Sequence, residues 1–372
     1  MRIGFWGKQI AKLTAQNVIL PAAYRIGCKN AVQRDLVIFA DAHHDSRPES
    51  MEMLYQEIAA GGRHRIEEFY RDFGKLGAME QIRQSIAFMK RYATAGAVIL
   101  CDNFLPAAAC KKREETKVIQ LWHGPGAFKK FGYDAKDDIP SFYKSNVFAN
   151  YDLVTVSGPS CIGPFQSAMR QPEGVVRAVG ISRMDAWFDQ DRIDRDKALF
   201  AQHYPKAKGK KVMVWAPTFR GNAGVPSLQG LSEMQSAAKQ LSDEWELIIS
   251  LHPHLLTYAG FESYRQPLTT AQLLTSADLL ITDYSSILYD AVLLRKKLLI
   301  FAPDRDSYAD NRGFYLRPEE LPARMVTDAG QLAAAIEDTD RQYDFHAQDA
   351  FREAYLSACD GQASKRIAAL LG

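Results

Sequence analysis

Long apolar runs are missing from this 372-residue chain: none approaches the ~18 consecutive apolar residues that a membrane-spanning helix needs. Cysteine is scarce and odd in number. Cys28, Cys101, Cys110, Cys161 and Cys359 are scattered and never spaced C-x-x-C, which reads as buried thiols of a reducing cytoplasm, not as bridges or zinc ligands. The opening MRIGFWGKQIAKLTAQ lacks the compact apolar stretch and small-residue cleavage site of a secretory signal. There is no G-x-x-x-x-G-K-[ST] loop, which disfavours P-loop phosphoryl transfer, and no G-x-S-x-G nucleophile elbow. Internal repeats and low-complexity tracts are also absent. Net charge is nearly absent too, at +2.

What is present describes a globular protein, 47% hydrophobic and 24% charged, long enough for about two domains. The small total charge hides an asymmetry. Residues 1–185 carry 25 basic and 19 acidic side chains, a balance of +6, and the remainder 21 against 25, a balance of −4. Six of the cations (Arg2, Lys8, Lys12, Arg25, Lys29 and Arg34) precede the first acid, Asp35. Ile3, Trp6, Ile10, Leu13 and Leu20 fall on one helical stripe, interrupted at Pro21, with Phe5 and Trp6 near its tip. Such a basic amphipathic segment suits an anionic membrane surface; the plainer alternative is a first helix packed on its own domain. Nucleic acid is disfavoured as a partner, because basic and aromatic residues do not interleave downstream.

Short apolar, β-rich runs at 35–42, 95–102, 117–123, 153–158, 174–180, 211–218, 246–253, 278–285 and 297–304 alternate with helical stretches at 49–60, 79–92, 160–170, 231–243 and 286–295. That alternation predicts α/β architecture with parallel sheets buried on both faces. A charged segment with Pro205 and Gly209, around 185–205, reads as a seam between two Rossmann-like halves facing a central cleft. The expected domains are 1–190, 191–345, and a C-terminal helix at 346–372 packing back toward the first. In open α/β sheets ligands bind beyond the carboxyl ends of the strands, so the polar residues ending each run are the candidates.

Four such ends carry capable groups. In LWHGPGAFKKFGYD (121–134), His123 closes a strand, followed by Gly124, Pro125 and Gly126, then Lys129 and Lys130; a histidine there can take a proton from a hydroxyl. In APTFRGN (216–222), Thr218 and Arg220 suit phosphate oxygens, unless the arginine merely faces solvent. In LHPHL (251–255), Pro253 holds His252 extended, with His254 a surface neighbour. In ADLLITDYSSILYDAVLL (277–294), Thr282, Ser285 and Ser286 meet a helix start, whose free amides and dipole favour a diphosphate; the alternative is capping alone. Asp290, one turn on, would orient a ligand hydroxyl or the serines, or face solvent. Asp41, His43, His44 and Asp45 invite a metal reading, but alternate residues of a continuing strand point to opposite faces and no second cluster has matching spacing. No metal site is expected.

Taken in order, Trp122-His123-Gly124 with Lys129 or Lys130 and Gly132, then A-P-T-F-R at 216–220, H-P at 252–253 and T-D-Y-S-S at 282–286, resemble the CDP-glycerol glycerophosphotransferases of teichoic-acid and capsule synthesis. CDNFLP (101–106), GISRMD (180–185) and DGQASKRI (360–367) extend the likeness. The sequence departs from the family where PGAF adds a residue before the lysine and where Ser182 replaces a common proline. The resemblance implies a GT-B-like arrangement, with an acceptor-side, membrane-proximal N-terminal domain and a nucleotide-binding C-terminal domain. It implies a CDP-polyol donor held at Thr218, Arg220, Thr282, Ser285, Ser286 and Asp290, with Arg220 and His252 neutralising the phosphoryl group in flight. His123 would be the general base, and Asp102, Asn103, Gly124, Lys129 and Lys130 the acceptor side. A polyol phosphate would pass to a hydroxyl of a lipid-linked saccharide or polymer, releasing CMP, at the cytoplasmic face of the membrane and with no obligatory cofactor or metal. The chain length leans toward a primase. Two rival readings are a GT-B glycosyltransferase using a nucleotide sugar and a non-catalytic nucleotide-binding assembly protein.

Overall fold

The computed structural model describes residues 12–136, 138–143, 145–222, 225–305 and 313–372. Two compact units emerge. The first comprises Met1–Gly124, Phe131–Asp185 and Ala358–Gly372; the second comprises Pro125–Lys130 and Ala186–Ser357.

In the first unit six strands form a wholly parallel sheet: β1 (Gln33–Asp41), β2 (Arg65–Tyr70), β3 (Ala95–Leu100), β4 (Lys117–Gln120), β5 (Leu153–Thr155) and β6 (Val176–Arg177). Their order across the sheet is β2-β1-β3-β4-β5-β6. The apolar runs become strands because both faces are covered; β3, AGAVIL, is buried along its whole length. One face packs Val37, Phe39, Ile99 and Ile119 against Met51 and Leu54 of the helix Glu49–Gly61 and Ile367 of the last helix. Each such side chain contributes about 1.5–3 kcal/mol when fully buried. The helix Glu49–Gly61 ends where Gly62 turns left-handed, at φ 62°.

The second unit repeats the plan with five parallel strands: β7 (Lys211–Ala216), β10 (Trp245–Ile249), β11 (Leu279–Thr282), β12 (Lys297–Phe301) and β13 (Arg324–Val326), in the order β10-β7-β11-β12-β13. A separate antiparallel pair, β8 (Arg220–Asn222) and β9 (Val225–Ser227), follows β7. Trp215, Ile281 and Leu299 anchor one core face, covered by Ile336 of the helix Leu332–Gln342.

The chain in both units steps outward by one strand and then crosses to the other side of the first, so strand order reverses at β1/β3 and again at β7/β11. Loops leaving the sheet diverge there and open a crevice at the carboxyl ends.

Several sequence expectations change. The charged stretch read as a linker is largely a helix, Gln190–His203, because Asp189 caps it by accepting from the Arg192 N–H at 3.0 Å. The C-terminal segment holds two helices, Phe345–Leu356 in the second unit and Ala363–Ala369 in the first. Strands β2 and β13 carried no clear apolar run: β2 is an edge strand with Glu67 and Glu68 inside it, and β13 has three residues. Pro21, read as a break, does not end the helix: it follows directly on the π-helical turn Ala15–Ile19, where the Leu20 N–H reaches back to the Ala15 carbonyl and the widened turn accommodates the proline. Most of the basic amphipathic stripe, Arg2 to Ile10, lies outside the described residues. Beyond it Leu20 and Tyr24 are buried, whereas Val18 and Ile26 are 61% and 53% exposed.

Candidate functional site

In the first unit the carboxyl ends of β1, β3 and β4 bring together Asp41, Asp102 and His123. His123 is 53% exposed and places Nδ1 3.3 Å from Asp102 Oδ2. Its ring stacks on Trp122 at 4.5 Å and 29°. Trp122 itself is left-handed, at φ 58°, a conformation that costs a non-glycine residue about 1–3 kcal/mol. Rings of Phe131 at 4.9 Å and Phe165 at 6.0 Å brace the indole. Burial alone would raise the Asp102 pKa, but His123 beside it, and His43 further off, hold the carboxyl below its ordinary range. With Nδ1 turned to the carboxylate, Nε2 is the ring nitrogen not engaged by Asp102. Asn103, next in the chain, donates its backbone N–H to Asp102 at 2.6 Å, while its side-chain Oδ1 is buried without a hydrogen-bond partner.

The Asp41 neighbourhood is a hydrogen-bonded corner. Asp41, 2% exposed, accepts from the His43 N–H at 2.8 Å and pairs with His44 Nδ1 at 2.9 Å, while Asp45 goes to Lys75. Among the described residues no group of three or more His, Cys, Asp or Glu is arranged to hold a metal. The motifs GISRMD and DGQASKRI, far apart in sequence, meet: the Asp185 carboxylate accepts from the Ala363 and Ser364 N–H groups at 3.1 and 2.7 Å, capping the last helix. Gly180 sits so close to that segment that a Cβ would lie 2.4 Å from the Ala358 carbonyl oxygen.

The switch point of the second unit gathers the other candidates and sorts them. Thr282 is fully buried and donates its hydroxyl to the Ala216 carbonyl at 2.6 Å, tying β11 to β7. Thr218 donates both N–H and Oγ1 to Asp283 at 2.9 Å. Asp290 is fully buried and accepts from Trp187 Nε1 at 2.9 Å, so it does not meet solvent. Ser285 and Ser286 differ from these three. Ser286 makes no capping hydrogen bond, and Ser285 Oγ lies a long 3.4 Å from the Ile287 N–H, so capping does not consume the pair.

Arg220 is expected to face a phosphate but is already engaged. It forms two bonds to Asp304, at 2.6 and 2.9 Å, and one to Asp283 at 2.9 Å, with Tyr284's ring 5.2 Å away. Burial, which alone would lower its pKa, is outweighed by Asp304 and Asp283, and the guanidinium is held above its ordinary value. His252 is also altered: burial, then the charges of His254 and Lys129, push its pKa down to about 4. The imidazole is therefore neutral at pH 7 and does not carry the charge toward a phosphate that the resemblance implies. Its Nδ1 accepts from the His254 N–H at 3.3 Å, which leaves the proton of the neutral ring on Nε2.

Lys129 and Lys130 were placed with the acceptor side, but the segment Pro125–Lys130 belongs to the second unit. The Lys130 N–H donates to the Gly313 carbonyl at 3.1 Å and Lys129 bridges to Phe314. Gly126 fixes this passage. It is left-handed at φ 73°, and a Cβ there would lie 2.0 Å from the Tyr289 ring. Asp283, Asp304 and Tyr289 escaped the sequence reading. Asp283 lay inside a recognised motif, whereas Asp304 had no signal of its own.

Residues 22–371 match the family described as CDP-glycerol:poly(glycerophosphate) glycerophosphotransferase. The chain belongs to this family. It is 31% identical to a teichoic acid ribitol-phosphate primase of Bacillus spizizenii (strain ATCC 23059 / NRRL B-14472 / W23) over 91% of this chain and 90% of that protein. Against a teichoic acid poly(ribitol-phosphate) polymerase of the same strain it is 28% identical over 90% of this chain, and that match spans 56% of the polymerase. Among solved structures it resembles the wall teichoic acid polymerase TagF, with TM-score 0.74 at 20% identity, covering 98% of this chain and 97% of that one. The likeness to TagF places the fold in the expected GT-B-like class.

Proposed function

We propose that this protein transfers a polyol phosphate from a CDP-linked polyol to a hydroxyl of a lipid-linked saccharide or polymer acceptor, releasing CMP, in teichoic-acid-type polymer synthesis. The observation that carries the reading is the pairing of His123 with Asp102 in a member of this family. His123 Nε2 accepts the acceptor's hydroxyl proton as that oxygen attacks the phosphorus bearing the polyol. The bond from this phosphorus to the bridging oxygen breaks, and CMP leaves with that oxygen. The buried, unpartnered Asn103 Oδ1 supports an acceptor subsite beside the base, since an acceptor hydroxyl would satisfy it.

On the donor side the Ser285 and Ser286 hydroxyls, His252 Nε2–H and Lys129 are the phosphate contacts of this reading. Thr218, Thr282 and Asp290 hold the frame. Arg220 acts on a phosphate only by exchanging one of its carboxylates. Positioning and charge stabilisation suffice for this chemistry, so we infer that no metal is obligatory. Loss of turnover in a chelator, restored by Mg²⁺, would overturn that. Exposed Val18, Ile26 and Met79, with the cations of the first 34 residues, support peripheral docking on an anionic cytoplasmic membrane face. Flotation with anionic, but not neutral, vesicles tests it.

The decisive experiment offers CDP-glycerol, CDP-ribitol and UDP-sugars with a lipid-linked disaccharide and reads CMP release and product mass. A mass increment of one polyol phosphate supports priming, and a ladder supports polymerisation. Turnover of a UDP-sugar would instead establish the glycosyltransferase, and binding of CDP-polyol without any product a non-catalytic protein. The identity of the polyol comes from the same panel: the family is described by glycerol, the primase relative by ribitol.

A further inference from the structure

We propose that Gln120 is the positioning residue for the base: its side-chain amide locks the backbone at both Asp102 and Trp122 and so holds His123 on the Asp102 carboxylate. This rests on the reading of His123 as the base. Gln120 is the last residue of β4, fully buried, and paired across the sheet with Leu100 of β3 and Val154 of β5. The backbone ladder between β3 and β4 ends at the next residue, where the Leu121 N–H donates to the Leu100 carbonyl at 2.7 Å. The side chain of Gln120 then continues the ladder as an extra amide. Nε2 donates to the Asp102 carbonyl at 2.9 Å and to the Tyr151 hydroxyl at 3.1 Å, while Oε1 accepts from the Trp122 N–H at 2.9 Å.

A buried amide is not needed for packing, since its neighbours along the strand, Val118 and Ile119, are apolar and equally buried. It does two things that an apolar side chain cannot. It fixes the carbonyl of the residue whose carboxylate meets His123, and it holds Trp122 in its left-handed turn. That turn folds His123 back over the indole at 4.5 Å and brings Nδ1 to 3.3 Å from Asp102. Both partners of the pair are thus fixed through one side chain. The titratable groups around them are Asp102, His43, Cys101 and Tyr151.

Gln120→Met keeps the length of the side chain and removes all three hydrogen bonds. With whichever of CDP-glycerol and CDP-ribitol the native protein turns over, kcat is expected to fall roughly 10- to 100-fold while donor KM stays unchanged. The ring ¹⁵N resonances of His123 should move from a fixed Nδ1–H tautomer toward an averaged one. In a His123→Ala background the same substitution should have no further effect on turnover. Gln120→Glu keeps both backbone contacts while its buried carboxyl is protonated. Its activity relative to the native protein should therefore recover at low pH and fall as pH rises. Tyr151→Phe, which spares both backbone contacts, serves if the methionine variant fails to fold and should cost much less. Unchanged kcat and tautomer in Gln120→Met, or an equal loss with and without His123, would overturn the proposal. If the native protein turns over neither donor, the base reading fails, and the His123 resonances alone still decide whether Gln120 holds the ring.

Discussion

The two units share one strand order over five strands and give their histidines different neighbours. His123 stands beside a carboxylate, over an indole, with half its surface open. His252 is exposed as well, but Phe219 packs on it at 4.9 Å, His254 and the charge of Lys129 lie near, and its pKa falls to about 4. Topology decides that both sit at strand ends; the neighbours decide what each can do. In the proposed reading a carboxylate on Nδ1 makes His123 a proton acceptor at Nε2. A backbone N–H on Nδ1, with cations nearby, makes His252 a neutral donor. The pairing also divides the proposed chemistry, with proton removal in the first unit and phosphate contact in the second.

The contrast is most sharply broken by removing His123. His123→Ala is expected to lower kcat by about 10²-fold or more, the scale of a general base, with CDP-polyol affinity unchanged. Calorimetric loss of donor binding in this variant would put His123 on the donor side and erase the distinction. Next comes Arg220→Ala. It strips the cation from Asp283 and Asp304, whose side chains are 3% and 19% exposed, and breaking such a buried network costs about 3–5 kcal/mol. Thermal unfolding should register a fall of roughly 6–20 °C if the second unit unfolds cooperatively. A variant as stable as the native protein would mean that Arg220 is held for ligand, not for structure.

Replacing Ser285 and Ser286 together by alanine should raise donor KM roughly five- to tenfold with kcat preserved, as expected for two hydrogen bonds of about 1 kcal/mol or less each. A fall in kcat alone would shift the serines from donor binding to the reacting centre. The smallest effect is the proton linkage of His252. A bound phosphate raises its pKa from about 4, so donor binding should take up a fraction of a proton and tighten as pH falls through the bound-state pKa. Titration calorimetry in buffers of different ionisation enthalpy reads this directly, and His252→Gln should abolish it. For folding the sign is reversed. The unfolded imidazole takes up its proton near pH 6.5 and the folded one only near pH 4, so this group removes stability as pH falls across that window.

Strand runs such as AGAVILCD and DLLITDYS were legible because burial on both faces demands continuous apolar residues. The helix Gln190–His203 was not, since its charges suggest a linker and only Asp196 and Phe200 are buried along it. At the site, residue type and position at a strand end singled out His123, paired with Asp102, and Ser285 and Ser286, whose hydroxyls make no short capping bond. Thr282 and Asp290, singled out in the same way, are bonded to Ala216 and Trp187, because hydroxyls and carboxylates near strand ends also serve to tie the fold together. Nor does a linear sequence display the Arg220–Asp304 pair, separated by 84 positions, or the assignment of Pro125–Lys130 to the second unit. Gln120 left one trace that a reader of sequence can use: a lone amide closing the apolar run KVIQ.

The capping of the helix Ala363–Ala369 by Asp185 bears on how the molecule is made. The first unit is discontinuous, and the piece that covers Met51 and Leu54 with Ile367 is translated only after the whole of the second unit. On a translating ribosome the second unit can therefore complete its sheet while the first still waits for its last helix, with the Asp185 carboxylate unclaimed and an apolar strip open.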